Sequence, residues 1–307
     1  MQQGIVTKST GSNYTVLLNS GVSVDAKVKG KMRMLNLKST NPVAVGDVVT
    51  INDDTAEYMI SDFEKRKNYI VRKSVNLSKQ TQIIAANIDQ LILINSLTSP
   101  KTQTGFIDRF LITAEAQHIP TIIVFNKLDI STDKDLEEFA YYEDVYTQMG
   151  YSVIGMSNHN DDDIENIKTI TRGKLSLFSG NSGVGKSSLL NKLDSNITAR
   201  VGEVSNHNAK GKHTTTFAEL FITNYNARII DTPGVKSFGI VDFERHEVAG
   251  YFADFRQYAP NCKFNNCTHI NEPHCAVKQA VETGDIAQFR YDNYLNIYDS
   301  EEMEKEY

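Results

Sequence analysis

Gly180-Asn181-Ser182-Gly183-Val184-Gly185-Lys186-Ser187 fits G-x-x-x-x-G-K-[ST], with Ser188 following. Glycines at these spacings let backbone N–H groups curl around a phosphate without Cβ clashes. Lys186 has the reach for the outer phosphates, and the Ser187 hydroxyl is a ligand for Mg²⁺. Leu175-Ser176-Leu177-Phe178 before the turn reads as a buried strand, and Leu189-Leu190 after it as the apolar face of a helix. That helix would place the positive end of its dipole under the same anion. A chance glycine loop is the competing reading, and both flanking elements weigh against it.

Asn126-Lys127-Leu128-Asp129 is the second chemical signal. A carboxylate at the mouth of a strand accepts two hydrogen bonds from the N1 and N2 donors of guanine, a pair that adenine lacks. Asp129 would therefore select GTP over ATP. Asn126 would brace the phosphate loop and the base, and the Lys127 stem would pack on the purine. Four residues recur often, so the motif gains its weight from the phosphate loop beside it. Ser157, after the next strand, is a looser match, for a backbone N–H to the guanine oxygen or for an ordinary strand end.

The third signal is Asp231-Thr232-Pro233-Gly234, delivered by Ala227-Arg228-Ile229-Ile230. Asp231 would hold Mg²⁺ through water, and the Gly234 N–H would sense the γ-phosphate. Gly211-Lys212-His213-Thr214-Thr215-Thr216 lies between the phosphate loop and this strand. A threonine hydroxyl here, Thr214 or Thr215, would complete the Mg²⁺ shell, and the sequence does not say which. Val235 stands where Ras-like enzymes carry a water-orienting glutamine, and valine cannot orient water. His213 is the available substitute, its imidazole positioning the attacking water. The bland alternative for His213 is a surface or core histidine. His118, His159, His207 and His246 lack a comparable context.

Cys262, Cys267, His269 and Cys275 give C-x₄-C-x-H-x₅-C. Three thiolates and one imidazole make a closed tetrahedral Zn²⁺ site of structural type, with no position left for water. His274 is the rival nitrogen ligand, but as the neighbour of Cys275 it is harder to bring onto the same ion. These are the only cysteines, an odd and clustered set that does not read as a disulfide framework.

The elements that must position these residues follow from pattern. Short β-rich runs at 4–7, 13–18, 22–28, 47–51 and 57–60, several separated by Gly/Asn/Ser turns, predict a small barrel of OB type. Residues 1–50 carry six Lys and Arg against Asp25 and Asp47, a local +4 in a chain of net −6. Composition leaves two readings for the basic stretch 27–38, RNA contact or a solvated loop. Residues 64–73 form a charged connector. Strands at 87–94, 121–125, 151–156 and from Leu175 alternate with helices at 106–118, 133–149 and 161–171, which implies a parallel sheet with helices on both faces. Helices at 251–255, 276–281 and 289–298 would surround the metal ligands. The expected division is a barrel over 1–70, a nucleotide domain over 71–240 and a helical zinc domain over 241–307, a multidomain α/β chain. No apolar run approaches the ~20 residues of a membrane span. Met1-Gln2-Gln3-Gly4 lacks a secretory core, so a cytoplasmic protein is expected.

Ordinary GTPases run phosphate loop, switch threonine, D-x-x-G, N-K-x-D, base loop. Here N-K-x-D and the base loop come first, so the order is circularly permuted while the same strands remain neighbours in space. With these motifs in this order, and the cysteine knuckle after them, the whole chain resembles the ribosome small-subunit-dependent GTPase A family. The resemblance implies GTP hydrolysis to GDP stimulated by the small ribosomal subunit, and a role in late maturation of that subunit. It also implies contacts of barrel and zinc domain with ribosomal RNA. A monomer without membrane association is expected. The runner-up is a nucleotide-gated RNA-binding module whose slow hydrolysis is incidental.

Overall fold

The computed structural model describes residues 1–29, 41–52, 57–73, 81–197, 218–232 and 244–300. Five strands come first: β1 (Gln2–Thr10), β2 (Asn13–Leu18), β3 (Ser23–Val28), β4 (Val48–Asn52) and β5 (Tyr58–Phe63). Pairing runs β1–β2–β3–β5–β4, and β4 returns to β1 through Gln2↔Ile51 to Ile5↔Val48, which closes a barrel. Strict alternation sets its inside: Val24, Ala26 and Val28 of β3 are buried, and Ser23, Asp25 and Lys27 between them are exposed. Val6, Val16, Val49, Ile51 and Ile60 fill the centre.

The charged connector is not a free linker. Arg66 makes a two-pronged pair with the buried Asp47, Nε to Oδ1 at 2.7 Å and Nη2 to Oδ2 at 2.6 Å. Lys67 is paired with Asp89. Beyond them β6 (Tyr69–Lys73) and β7 (Thr81–Ala86) form an antiparallel ribbon, which the strand pattern did not anticipate. The next strand, β8 (Gln90–Asn95), starts three residues later than expected, because Asn87 takes a left-handed turn at φ 59°.

Four further elements repeat a strand–helix rhythm: α1 (Thr104–Ala116), β9 (Thr121–Phe125), α2 (Asp133–Gln148) and β10 (Ser152–Gly155). After them come α3 (Asp161–Thr171), β11 (Leu175–Gly180), α4 (Lys186–Leu193), β12 (Glu219–Ile222) and β13 (Arg228–Asp231). The sheet runs β10-β9-β8-β11-β13-β12, parallel except for β12. Central β8 and β11 are buried at every position, as expected of strands covered by helices on both faces. The sheet continues into the barrel through one register pair, Lys8↔Glu219, reinforced by an ion pair between the same side chains at 3.4 Å.

The last segment holds two 3₁₀ turns, Arg245–Tyr251 and Ala259–Asn261, then α5 (Ala276–Thr283) and α6 (Gln288–Tyr298). The helix expected over 251–255 is absent. A capping box between Glu244 and Glu247 starts a tighter turn earlier, and the apolar spacing there comes from burial of Val248, Phe252 and Phe255 against α6. Ile112 of α1 belongs to the same core, so this segment packs directly on the nucleotide domain.

Candidate functional site

β11 delivers the phosphate loop at the carboxyl edge of the parallel sheet, and α4 begins at Lys186. Gly180 has no alternative: a Cβ there would collide with the Ile94 carbonyl oxygen of the adjacent β8. Gly185 caps α4 at φ 94°, and a Cβ there would meet the amides of Asn126 and Asn158. The loop is thus pressed against Asn126, the first residue of the base motif, and against Asn158.

That contact is a hydrogen-bond network. Asn126 is fully buried, and its Nδ2 donates to the Val184 carbonyl at 2.8 Å. Its Oδ1 accepts from the Asn158 N–H at 3.2 Å. Asn158 Nδ2 donates in turn to the Gly185 carbonyl at 3.0 Å. Two asparagines therefore bind three loops together. Each holds a backbone carbonyl whose loss as a partner would cost roughly 1–3 kcal/mol.

Lys127 sits in the left-handed region at φ 71°, and its Nζ donates to the Ser99 carbonyl at 2.6 Å. The Leu128 N–H donates to Met156, and Asp129 stands exposed in the 3₁₀ turn Leu128–Ile130. Ser157 lies in this corner, but its N–H is already donated to Asp163 Oδ2 at 2.8 Å, and its hydroxyl accepts from His159 N–H at 3.0 Å. Both bonds brace the loop that follows β10. Asn158 was missed by sequence reasoning. Its only signal was an amide side chain directly after a strand-end serine.

On the phosphate side, β11 and β13 are parallel neighbours, with Phe178 opposite Asp231. Asp231 is buried, and its carboxylate is paired with Lys186 Nζ, which also approaches the Thr232 carbonyl at 3.4 Å. Thr232 Oγ1 donates to Phe178 O at 3.1 Å, which fixes the end of β13 against the phosphate strand. Ser187 and Ser188 open α4 beside them, and Asn181, Ser182 and Gly183 complete the turn. His213, Thr214, Thr215 and Gly234 lie outside the described residues.

The four candidate metal ligands lie together. Ligand atoms of Cys262, Cys267, His269 and Cys275 all lie within 4.8 Å of one another. His269 Nδ1 is 3.4 Å from Cys275 Sγ and 3.6 Å from Cys262 Sγ. His274 is exposed and outside the cluster. Burial, then the neighbouring thiols, push the Cys267 thiol up to about 12, and burial also raises Cys275 and lowers His269. Cys267 and Cys275 keep their protons unless a cation displaces them, while the lowered His269 imidazole is neutral and free to coordinate, and three sulfurs with one nitrogen suit a tetrahedral soft-ligand ion. The Tyr291 hydroxyl donates to the His269 carbonyl at 2.7 Å and ties the knuckle to α6.

Comparison with known proteins came out consistently along the chain. A family model described as RsgA GTPase matches residues 63–241, and one described as RsgA N-terminal domain matches 3–58. A protein of Flavobacterium johnsoniae named small ribosomal subunit biogenesis GTPase RsgA is 48% identical over 303 residues, covering 97% of this chain and 93% of its own. One of the same name from Phocaeicola vulgatus is 45% identical, covering 99% and 98%. The crystal structure of YjeQ from Thermotoga maritima superposes with a TM-score of 0.78 at 34% identity, over 97% of each chain. That of YloQ, described as a circularly permuted GTPase, gives 0.71 at 29%, over 97% of this chain and 94% of its own.

Proposed function

The chain belongs to the RsgA family of GTPases, and on that premise we propose that it binds GTP, docks on the small ribosomal subunit, hydrolyses GTP to GDP and phosphate there, and then leaves. Its action assists late maturation of the subunit, in the cytoplasm and as a monomer. Among the described residues no helix is long and apolar enough to cross a membrane. The observation that carries the reading is the Asn126–Asn158 network, which locks the N-K-x-D turn to the phosphate loop although the chain visits them in reversed order.

In this reading Asp129 takes the guanine N–H pair and Lys127 covers the base. The Gly180–Gly185 amides and Lys186 hold the phosphates, with Gly234 on the γ-phosphate. Ser187, Asp231 and a threonine, 214 or 215, would hold Mg²⁺; Mg²⁺ neutralises charge on the phosphates during transfer. Lys186 and Asp231 would exchange their mutual contact for nucleotide and metal. His213 orients the attacking water, and no residue serves as a covalent nucleophile. Cys262, Cys267, His269 and Cys275 would hold one structural Zn²⁺. The barrel, over residues 1–70, and the zinc segment, over 241–307, would contact ribosomal RNA on either side of the GTPase domain, over 71–240.

The test is GTP turnover with and without isolated small subunits. Strong stimulation is expected. Tight binding with unchanged turnover would instead make the chain a nucleotide-gated RNA-binding module.

A further inference from the structure

The loop between Cys262 and Cys267 exposes an aromatic ring. Phe264 is 40% exposed, alone among the phenylalanines of the described residues. The loop is short and anchored: Cys262 and Cys267 at its ends belong to the Cys/His cluster, and the Cys267 N–H donates to the Phe264 carbonyl at 3.2 Å, closing a tight turn. Lys263 Nζ stands 5.6 Å from the centre of the ring, and Asn265 and Asn266 beside it are exposed.

The electrostatics of this tip differ from those of the whole chain. Residues 256–278 carry Arg256, Lys263 and Lys278 against Glu272, three minus one giving +2, where the chain as a whole is −6. Glu272 turns into the knuckle and accepts from the Thr268 hydroxyl and N–H at 2.7 Å each. Arg256 is paired with Glu115, and Lys278 donates to the Ile270 carbonyl. Among the described residues Lys263 has no carboxylate partner, so its charge is available at the tip.

We propose that Phe264 is a stacking platform for one unpaired nucleobase of RNA, with Lys263 on the adjoining phosphate. The inference rests on the reading that this segment meets the small subunit. A flat ring framed by a cation and two amides matches the requirements of a splayed base: a π-face, a charge for the backbone and donors and acceptors for the base edge. A protein partner's apolar pocket would call for an apolar surround, and the ring's neighbours in sequence, Lys263 and Asn265, are both exposed and polar. Clamping at both ends removes most of the ordering cost of binding.

The experiment uses the zinc-loaded full chain and two probes: isolated small subunits with a non-hydrolysable GTP analogue, and a short oligoadenylate carrying one 2-aminopurine. Phe264→Ala, with unchanged zinc content and GDP affinity, should lose roughly 5- to 150-fold in affinity for both. Phe264→Leu should lose similarly although it keeps apolar bulk, and Phe264→Trp should restore binding and the stacking change in 2-aminopurine fluorescence. Lys263→Ala should lower the slope of log affinity against log salt by about 0.7. Parent-like affinity in either Phe264→Ala or Phe264→Leu overturns the platform. So does loss of subunit affinity in a protein whose parent never alters the 2-aminopurine signal, since the occupant would then be a ribosomal protein. Failure of the parent chain to bind subunits would strike the functional reading itself, and the oligoadenylate arm would still decide the role of Phe264.

Discussion

Replacing Arg290 with methionine should detach the C-terminal segment from the GTPase domain. Arg290 lies on α6 with its side chain 1% exposed. Its Nε and Nη2 donate to the two oxygens of Asp254 at 3.1 and 2.9 Å, and Nη1 is paired with Asp108 of α1. The guanidinium also lies 4.7 Å from the Phe252 ring centre. Asp108 takes two more bonds, from the Tyr146 hydroxyl at 2.8 Å and from Asn293 Nδ2 at 2.6 Å. Methionine approximates the stem and removes the only cation in this cluster, leaving two carboxylates with less than a tenth of their surface exposed. Breaking a buried pair from one side costs about 3–5 kcal/mol. The assay is hydrogen exchange of the α6 amides, which reads local opening free energy. Protection in α6 should fall by that amount while β8 and β11 keep theirs. The sign with pH is fixed. Burial raises the Asp108 carboxyl above its ordinary value, against the pull of Arg290. A raised native value means that the carboxyl favours the folded state when protonated, and that this contribution is lost as pH rises. Removing Arg290 enlarges the effect, so the deficit should be smaller in mildly acidic buffer than at neutral pH. A loss under about 1 kcal/mol, or a deficit that grows on acidification, would refute the assignment of this cluster as the joint.

Asp129→Asn should weaken GDP binding roughly 10- to 150-fold, the worth of one hydrogen bond to a charged group, with little change in ADP binding; titration with both nucleotides checks this. His213→Ala should leave GTP affinity nearly intact and cut subunit-stimulated turnover about 10²- to 10⁴-fold, as loss of a general base does, read by phosphate release. Chelation of zinc should change the near-ultraviolet signal of Tyr291 and Tyr294, which hydrogen-bond the knuckle backbone, yet leave GDP binding in place. Metal affinity should fall as pH falls, because the thiols must lose protons to bind. Burial opposes ionisation of Glu272, but hydrogen bonds from Thr268 and Ile270 hold its carboxyl at about 2 against an ordinary 4.5. Its contribution to the knuckle is therefore present above the higher value and lost as pH drops toward the lower, which an acid titration of the same near-ultraviolet signal measures.

What could be read from the sequence was what local chemistry dictates. The phosphate loop, the base motif and the cysteine spacing each require particular residues at fixed offsets, and the folded chain brings the described ones together. The barrel showed because alternation in Val24-Asp25-Ala26-Lys27-Val28 is a local pattern. The β6–β7 ribbon did not show, since Tyr69-Ile70-Val71 is framed by charges whose partners, Asp47 and Asp89, are distant in sequence. The brace on the Ser157 loop was hidden for a similar reason: the carboxylate that takes its amide lies six residues on, at the start of α3. Asn158 and Arg290 could not be singled out, because a buried polar side chain looks like any surface one until its partners are known.

The permuted order gains a mechanical meaning from these contacts. β12 lies between the segment that carries His213 and the strand that ends in Asp231, and it pairs with barrel strand β1 through Lys8 and Glu219. On the other side of Asp231 the chain runs on to the C-terminal segment, which α1 and the Arg290 cluster hold against the GTPase sheet. Both segments expected to respond to the γ-phosphate are thus followed directly by an element bearing on an appended domain. In an unpermuted chain the strand after D-x-x-G would lead back into the sheet. Here a rearrangement at Asp231 would bear on β12 and on the chain leading to the C-terminal segment, since β11 and β8 are buried throughout and resist displacement. If barrel and zinc segment both contact the subunit, as proposed, hydrolysis would change both contacts together, which release from a surface held at two points requires.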